Sequence, residues 1–330
     1  MSPADQEETP VTSAETLAAQ EPRAETSVGG TPEPSPRPAA TSAGGTPESS
    51  PRAAEDIPRG RWWRGFGSEI RMIFGRRRNQ LLLLGLALIP LVIGVAVKLF
   101  SDSHGGGGMD LVSRIAGSGL FLAAVSFVVS MPVFLPLVIS VVAGDALAGD
   151  AQLGTVRYAL IMPVSRSKWL AMKAVGILVF TAVGVVIVLA VALATGFGLF
   201  GVHPMTLLSG DTISVGAGVV RILWMAAYVV ASLTGLLAVG LFISSLTEVP
   251  IAAMAGTAIV PAVCTVLLAV PQLAPIQPGL ITAHWLDITT FLFAQPDLAL
   301  LRAGLLLQLA WVAVFGALAW ARVASQDVTA

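Results

Sequence analysis

A chain of 330 residues that is 55% hydrophobic and 12% charged, with a mean hydropathy of +0.80, is not a water-soluble globule, where about 25% of positions would be charged. The formal net charge of −1 decides nothing by itself, because orientation in a membrane depends on where Lys and Arg fall relative to the spans. The one cysteine, Cys264, lies in an apolar run, which excludes an intrachain disulfide and a thiolate metal cluster and reads as packing.

From Met1 to Pro58 the sequence is rich in Pro, Glu, Ser, Thr, Ala and Gly and has no aromatic residue. Such a segment cannot bury enough surface to offset its ordering entropy, so a disordered cytoplasmic tail over 1–58 is expected. "GGTPEPSPR" (Gly29 to Arg37) returns as "GGTPESSPR" (Gly44 to Arg52), but two units without an apolar face do not stack into a solenoid. The first eighty residues hold no apolar run, so no cleavable signal peptide is expected and insertion should begin at an internal span.

Residues 59–80 change character. At 100° per residue, Trp62, Trp63, Phe66, Ile70, Ile73 and Phe74 fall within an arc of about 120°, with Arg61, Arg64 and Arg71 opposite. The pattern predicts an interfacial amphipathic helix with its aromatic face in the bilayer, rather than a nucleic-acid patch, because an apolar run follows directly.

Six apolar runs follow, Leu81 to Leu99, Gly119 to Ala143, Ala174 to Phe200, Ile222 to Leu246, Val249 to Val270 and Leu298 to Ala321. Each meets the length of about 20 residues that a hydrocarbon core about 30 Å thick requires, and the third exceeds it. The expected fold is an all-α membrane protein, with six transmembrane helices over 81–323 behind the elbow helix and a short C-terminus over 324–330. Twelve Lys and Arg flank one side of these spans, including Arg76, Arg77, Arg78, Arg157, Arg166, Lys168 and Lys173, against Lys98, Arg114, Arg221 and Arg302 on the other. Both termini are therefore expected to be cytoplasmic, in a cell (plasma or inner) membrane.

Between the second and third runs lies a polar segment, 144–173, containing "DAQLGTVRYALIMPVSRSKWLAMK" (Asp150 to Lys173). Its six charged residues would each cost roughly 2.5–3.5 kcal/mol at the bilayer centre, so it is expected to stay on the cytoplasmic face. Leu153, Val156, Leu160 and Ile161 fall at i, i+3, i+7 and i+8, one apolar stripe on a short helix. Pro163 should end that helix, and Ser165 or Ser167 is placed to cap the third span. A short amphipathic helix joined at both ends to membrane helices is well built to be gripped by another protein.

Asp150, Gly154-Thr155, the aliphatics to Leu160, "PVSR" (Pro163 to Arg166) and Lys173 stand in an order that resembles the type-2 ATP-binding-cassette (ABC) transporter permeases. That family more typically has Glu where this chain has Asp150. The resemblance covers about Arg59 to Val323 and not the tail. It implies a permease subunit that forms a homo- or heterodimer, binds a separate cytoplasmic ATPase, and exports a substrate such as an amphipathic or lipid-like compound. Its coupling interface would comprise Asp150, Leu153, Gly154, Thr155, Val156, Arg157, Leu160, Pro163, Ser165 and Arg166. ATP and Mg would be bound by the partner: this chain has no G-x-x-x-x-G-K-[ST] loop, and no enzymatic activity, cofactor, metal or nucleic acid is assigned to it.

The remaining candidates are weaker. His104, His203 and His284 are scattered over outer loops, and "HGGGG" (His104 to Gly108) has no G-x-S-x-G partner. Pro132 and Pro136 in the second run each delete a backbone hydrogen bond, which suggests a hinge unless Ser130 or a neighbour satisfies the freed carbonyls. The stretch Pro271 to Asp297 suits short helices dipping into the outer leaflet, with Trp285 in the aromatic belt. The interiors of the six runs lack ionisable residues, which argues for an apolar, Ser/Thr/Gly-dotted route and against the alternative of an ion-coupled secondary transporter. A second alternative is a membrane-anchored scaffold or sensor working through its tail.

Overall fold

The structure, a computed structural model, describes residues 60–103, 117–152 and 166–325. The tail, His104 with the glycines after it, and Leu153, Gly154, Thr155, Val156, Arg157, Leu160, Pro163 and Ser165 lie outside the described residues. The helices are α1 (Gly60–Gly75), α2 (Arg77–Ser103), α3 (Gly119–Ser130), α4 (Phe134–Gln152), α5 (Arg166–Phe200), α6 (Val215–Ser232), α7 (Thr234–Leu246), α8 (Pro250–Leu268) and α9 (Leu298–Ser325). A two-stranded antiparallel ribbon, β1 (Met205–Thr206) and β2 (Thr212–Ile213), links α5 to α6, with Met205 opposite Ile213. Three 3-10 helices, Pro271–Leu273, Gln277–Gly279 and Trp285–Leu292, link α8 to α9.

Among the described residues six helical stretches are long and apolar enough to cross a bilayer: Arg77–Phe100, Phe134–Gln152, Arg166–Phe200, Val215–Leu246, Pro250–Leu268 and Leu298–Ser325. Helical pairing satisfies most of their backbone polar groups within each segment, as hydrocarbon demands. α3 is buried along nearly its whole length and packs on α5, while α4 packs on α7 and α8, and α9 on α7. Phe121, Phe127, Met131, Leu135, Ile139, Ile177 and Phe180 fill this interior. α2, α8 and α9 instead leave large apolar side chains such as Leu84, Val266, Leu306 and Leu309 on the outside. On a protein in water these would make an aggregating patch; on a multi-pass membrane protein they meet lipid.

The helix bounds correct the sequence reading at the polar segment. The second span does not end at Ala143: α4 continues to Gln152 and carries Asp145 and Asp150 on the helix itself. The third begins at Arg166, not Ala174, so Lys168 and Lys173 are helical too. Of 144–173, only 153–165 lies between described helices. The thirty-five residues of α5 span about 52 Å at ~1.5 Å per residue, well over a hydrocarbon core, as its apolar run alone already indicated.

Two spans are broken. The second stops at Ser130 and resumes at Phe134, because Pro132 cannot donate to the carbonyl of Val128 nor Pro136 to that of Pro132. The Ser130 hydroxyl is buried without a hydrogen-bond partner and relieves neither. The fourth breaks at Leu233, between α6 and α7. Here the freed Ser232 carbonyl accepts the indole N–H of Trp285 at 3.0 Å. Trp285 is thus a buried brace, 2% exposed, and not a member of an aromatic belt. Of the hydroxyls expected to dot a route, those of Ser126, Thr181, Thr257 and Thr265 each donate to the carbonyl four residues back in their own helix.

Candidate functional site

The start of α2, the end of α4 and the start of α5 meet at one end of the helices, together with α1. α1 is pinned to α2 by side chains from the next helix: Asn79 Nδ2 donates to the Ile73 carbonyl at 2.8 Å and Gln80 Nε2 to that of Phe74 at 3.0 Å. These are C-terminal carbonyls of α1 that no intrahelical N–H reaches. The bend at Arg76 therefore divides the expected 59–80 helix into α1 and the first turn of α2. The C-terminal half of the α1 apolar stripe packs on protein rather than facing lipid. Ile73 is buried, and the Phe74 ring lies 5.2 Å from that of Phe180 on α5. Arg71, on the opposite side, is exposed.

Two ion-paired groups sit within this junction. Asp145, 7% exposed, pairs with Arg76 and with Nη2 of Arg78, the latter at 2.8 Å. Lys173, 3% exposed, places Nζ 2.8 Å from Glu69 Oε1 on α1 and 2.7 Å from Asp150 Oδ2 on α4. A cavity of about 20 Å³, one water in size, is lined by Glu69, Arg76, Asn79, Asp145 and Lys173 and so touches both groups. Three carboxylates face three cations. Asp145 and Lys173 are the buried members, tolerated there because each is paired with two opposite charges.

α4 is held at the same level from the other side. Ser244 of α7 inserts its hydroxyl into the α4 backbone, accepting the N–H groups of Leu147 and Ala148 at 3.0 and 2.9 Å and donating to the Gly144 carbonyl at 2.6 Å. Gly144 also lets α8 approach, since a Cβ there would stand 2.7 Å from the Met254 backbone. α5 is tied to the last span: Arg166 donates to the carbonyls of Val323 and Ala324 at 3.3 and 2.7 Å, where α9 has run out of helical donors. Ser167 does not cap α5; its hydroxyl accepts the Trp320 indole at 2.8 Å.

Of the sequence-derived interface, the described residues are therefore Asp150 and Arg166, and both are engaged within the chain. Asp150 is joined to Lys173, so the structure brings together the first and last residues of the pattern noted in the sequence. The two flanks of residues 153–165 are thus joined to each other by a salt bridge whose lysine is buried. Glu69, Arg76, Arg78, Asp145 and Ser244 were not singled out from sequence. The available signal was the pair of acids in "VVAGDALAGDAQ", which cannot be buried on a helix without nearby cations, and the "GRRRN" tract supplies them. Pro132 and Pro136 lie at the break in the same span, remote from this junction. Among the described residues no group of three or more His, Cys, Asp or Glu is placed to hold a metal ion. His203 Nδ1 lies 3.0 Å from the Phe200 carbonyl and His284 Nδ1 2.6 Å from Asp287 Oδ2.

A family model described as a protein of unknown function (DUF2705) matches residues 87–324, more than half of the chain. No curated protein matches it.

Proposed function

The chain belongs to the DUF2705 family of proteins of unknown function, and we propose that it is the membrane subunit of an ATP-driven exporter whose motor is a separate cytoplasmic ATPase of the ABC class. The carrying observation is the 2.7 Å Asp150–Lys173 bridge, which makes one rigid base for the segment between them. A displacement applied to residues 153–165 is then delivered to α4 and α5 together. The amphipathic stripe Leu153, Val156, Leu160 and Ile161 is the grip, the ion-paired junction is the mount, and both termini lie on the ATPase side. The permease works as a dimer, identical or not, in a cell membrane. Its cargo is amphipathic or lipid-like, in keeping with span interiors that lack charge through their middles. Coupling is mechanical: nucleotide favours one of two span arrangements through its differential contacts.

The test is purification of the full chain from its native membranes. A P-loop ATPase is expected at one copy per permease. Leu160→Asp should abolish its retention, with the melting temperature of the permease unchanged. Leu160 is a better probe than Arg166, whose guanidinium caps α9. Retention of a coupled ATPase by the Leu160→Asp chain refutes the assignment. So does labelling of Arg157→Cys, with Cys264 replaced by Ser, from outside intact cells. A second reading, an ion-coupled carrier, draws support from one observation: Asp145 and Lys173 are ionisable and buried on α4 and α5, with Asp150 paired to Lys173. Transport that follows an ion gradient without ATP identifies it.

A further inference from the structure

At the opposite end of the helices from the charged junction, α6 and α9 diverge around a cavity of about 920 Å³. α6 presents Ala217, Arg221, Trp224, Tyr228 and Ala231, at the spacing of one helical stripe over four turns, and α9 presents Leu298, Leu301, Arg302 and Leu305. These are two seams that elsewhere would interdigitate, yet they stand apart. The small side chains of Ala227 and Ala231 make a trough along α6 that begins at Arg221, about 15 Å from Arg221 to Ala231 at ~1.5 Å per residue. Trp224 is 64% exposed and forms one rim. The volume falls within the range of small-molecule sites, and the lining is almost wholly apolar.

Both cations lie at the same end of this trough, within the first two turns of their helices. Arg221 is oriented by the carbonyls of Phe291, Phe293 and Ala294, at 3.2, 2.6 and 3.2 Å. Those bonds use three of the five guanidinium N–H groups and neutralise no charge. Among the described residues neither Arg221 nor Arg302 forms an ion pair, and Arg302 is exposed. A long apolar trough with two uncompensated positive charges at one end matches an amphiphile with an anionic head. A second copy of the chain is a poor occupant, because an isologous contact here sets Arg302 against its own copy.

We propose that the cleft between α6 and α9 binds one anionic phospholipid from the bilayer, its phosphate at Arg302 and Arg221 and an acyl chain along Ala227 and Ala231. Basic pockets between membrane helices select such headgroups by charge while the chain supplies the apolar contact. The site stands whether or not an ATPase drives the protein.

The test uses the full chain in nanodiscs containing either phosphatidylglycerol or phosphatidylcholine with a diazirine in the acyl chain, crosslinked by light and mapped by mass spectrometry. Phosphatidylglycerol is expected to label residues 213–231 and 291–305 about fivefold more than phosphatidylcholine, the worth of one charge-assisted contact. Arg302→Gln, at an exposed position, should bring the two lipids level. Ala227→Phe and Ala231→Phe, on successive turns, should each reduce labelling by both. Equal labelling of the wild-type chain by the two lipids overturns the proposal. So does a preference that survives Arg302→Gln, labelling spread evenly over all lipid-facing helices, or a dimer contact that keeps both lipids out. If either filling variant loses its monodisperse elution, the Arg302→Gln comparison decides alone.

Discussion

Replacing Lys173 by Met removes one charge, keeps most of the side-chain volume, and takes the ammonium away from two carboxylates. Lys173 Nζ lies 2.8 and 2.7 Å from Glu69 and Asp150, and the three side chains are 4%, 14% and 13% exposed. At an effective dielectric of about 20 each contact represents roughly 6 kcal/mol of gross attraction, most of it offset by the desolvation of the groups. The cost of Lys173→Met is therefore not that gross figure. It is the penalty for removing one partner of a buried pair, about 3–5 kcal/mol. For a domain of this size roughly 2–4 °C accompany each kcal/mol, so a fall of roughly 6–20 °C in melting temperature is expected for the purified full chain in detergent. The triple variant Glu69→Gln, Asp150→Asn, Lys173→Met removes all the charges and should recover to within about 2 kcal/mol of the parent. A single variant that melts within about 2 °C of the parent would show that Lys173 is not the counter-charge holding α1 and α4. A triple variant as unstable as the single would show that packing of the lysine stem, not charge, is what matters there.

Three further outcomes follow from the same structure. A Cβ at Gly196 would collide with the backbone of Gly119 where α3 crosses α5, so Gly196→Ala should cost at least about 3 kcal/mol, while Gly198→Ala, with open space around it, should leave melting unchanged or raise it slightly. Ser244→Ala takes away a buried acceptor and donor bonded to α4, and a loss of about 1–3 kcal/mol in denaturation measurements is expected, recovered only in part by Ser244→Cys. Pro132→Ala restores a backbone donor for the Val128 carbonyl; it should keep or raise the melting temperature and reduce transport per ATP hydrolysed, and unchanged coupling would dismiss the break as a hinge.

What could be read from the sequence divides along the range of the forces involved. The apolar runs of α2, α5 and α9 are local and continuous, so their presence was legible within a few residues. The helix ends at the junction were not, because Asp145, Asp150 and Lys173 look like loop residues until their partners are known. A charge on a helix is acceptable in the interior only through a residue far along the chain, as with Asp145 and Arg78, sixty-seven positions apart. The break at Leu233 has no proline to announce it, and its carbonyl is satisfied by Trp285, fifty-three residues on. Arg166 looked like a surface contact because nothing local shows that α9 ends beside it. The β1–β2 ribbon, two residues per strand, is too short for any period-2 pattern to reveal.

The pattern of tight and loose contacts along α4 bears directly on the proposed mechanism. Near Asp150 the helix is gripped from every side: by Arg76 and Arg78 at Asp145, by Lys173 at Asp150, by Ser244 within its backbone, and by the α8 backbone against Gly144. A rod so held cannot bend where it is pushed. Its nineteen residues, about 28 Å at ~1.5 Å per residue, transmit a displacement to the nearest place where the backbone ladder is already interrupted. That place is Met131 to Val133, where Pro132 and Pro136 leave two carbonyls without helical donors and Ser130 supplies none. On the proposed reading the stiff part of the second span is therefore the half that meets the motor, and the compliant joint lies at the far end of α4, where a small rotation changes the packing of α3 against α5.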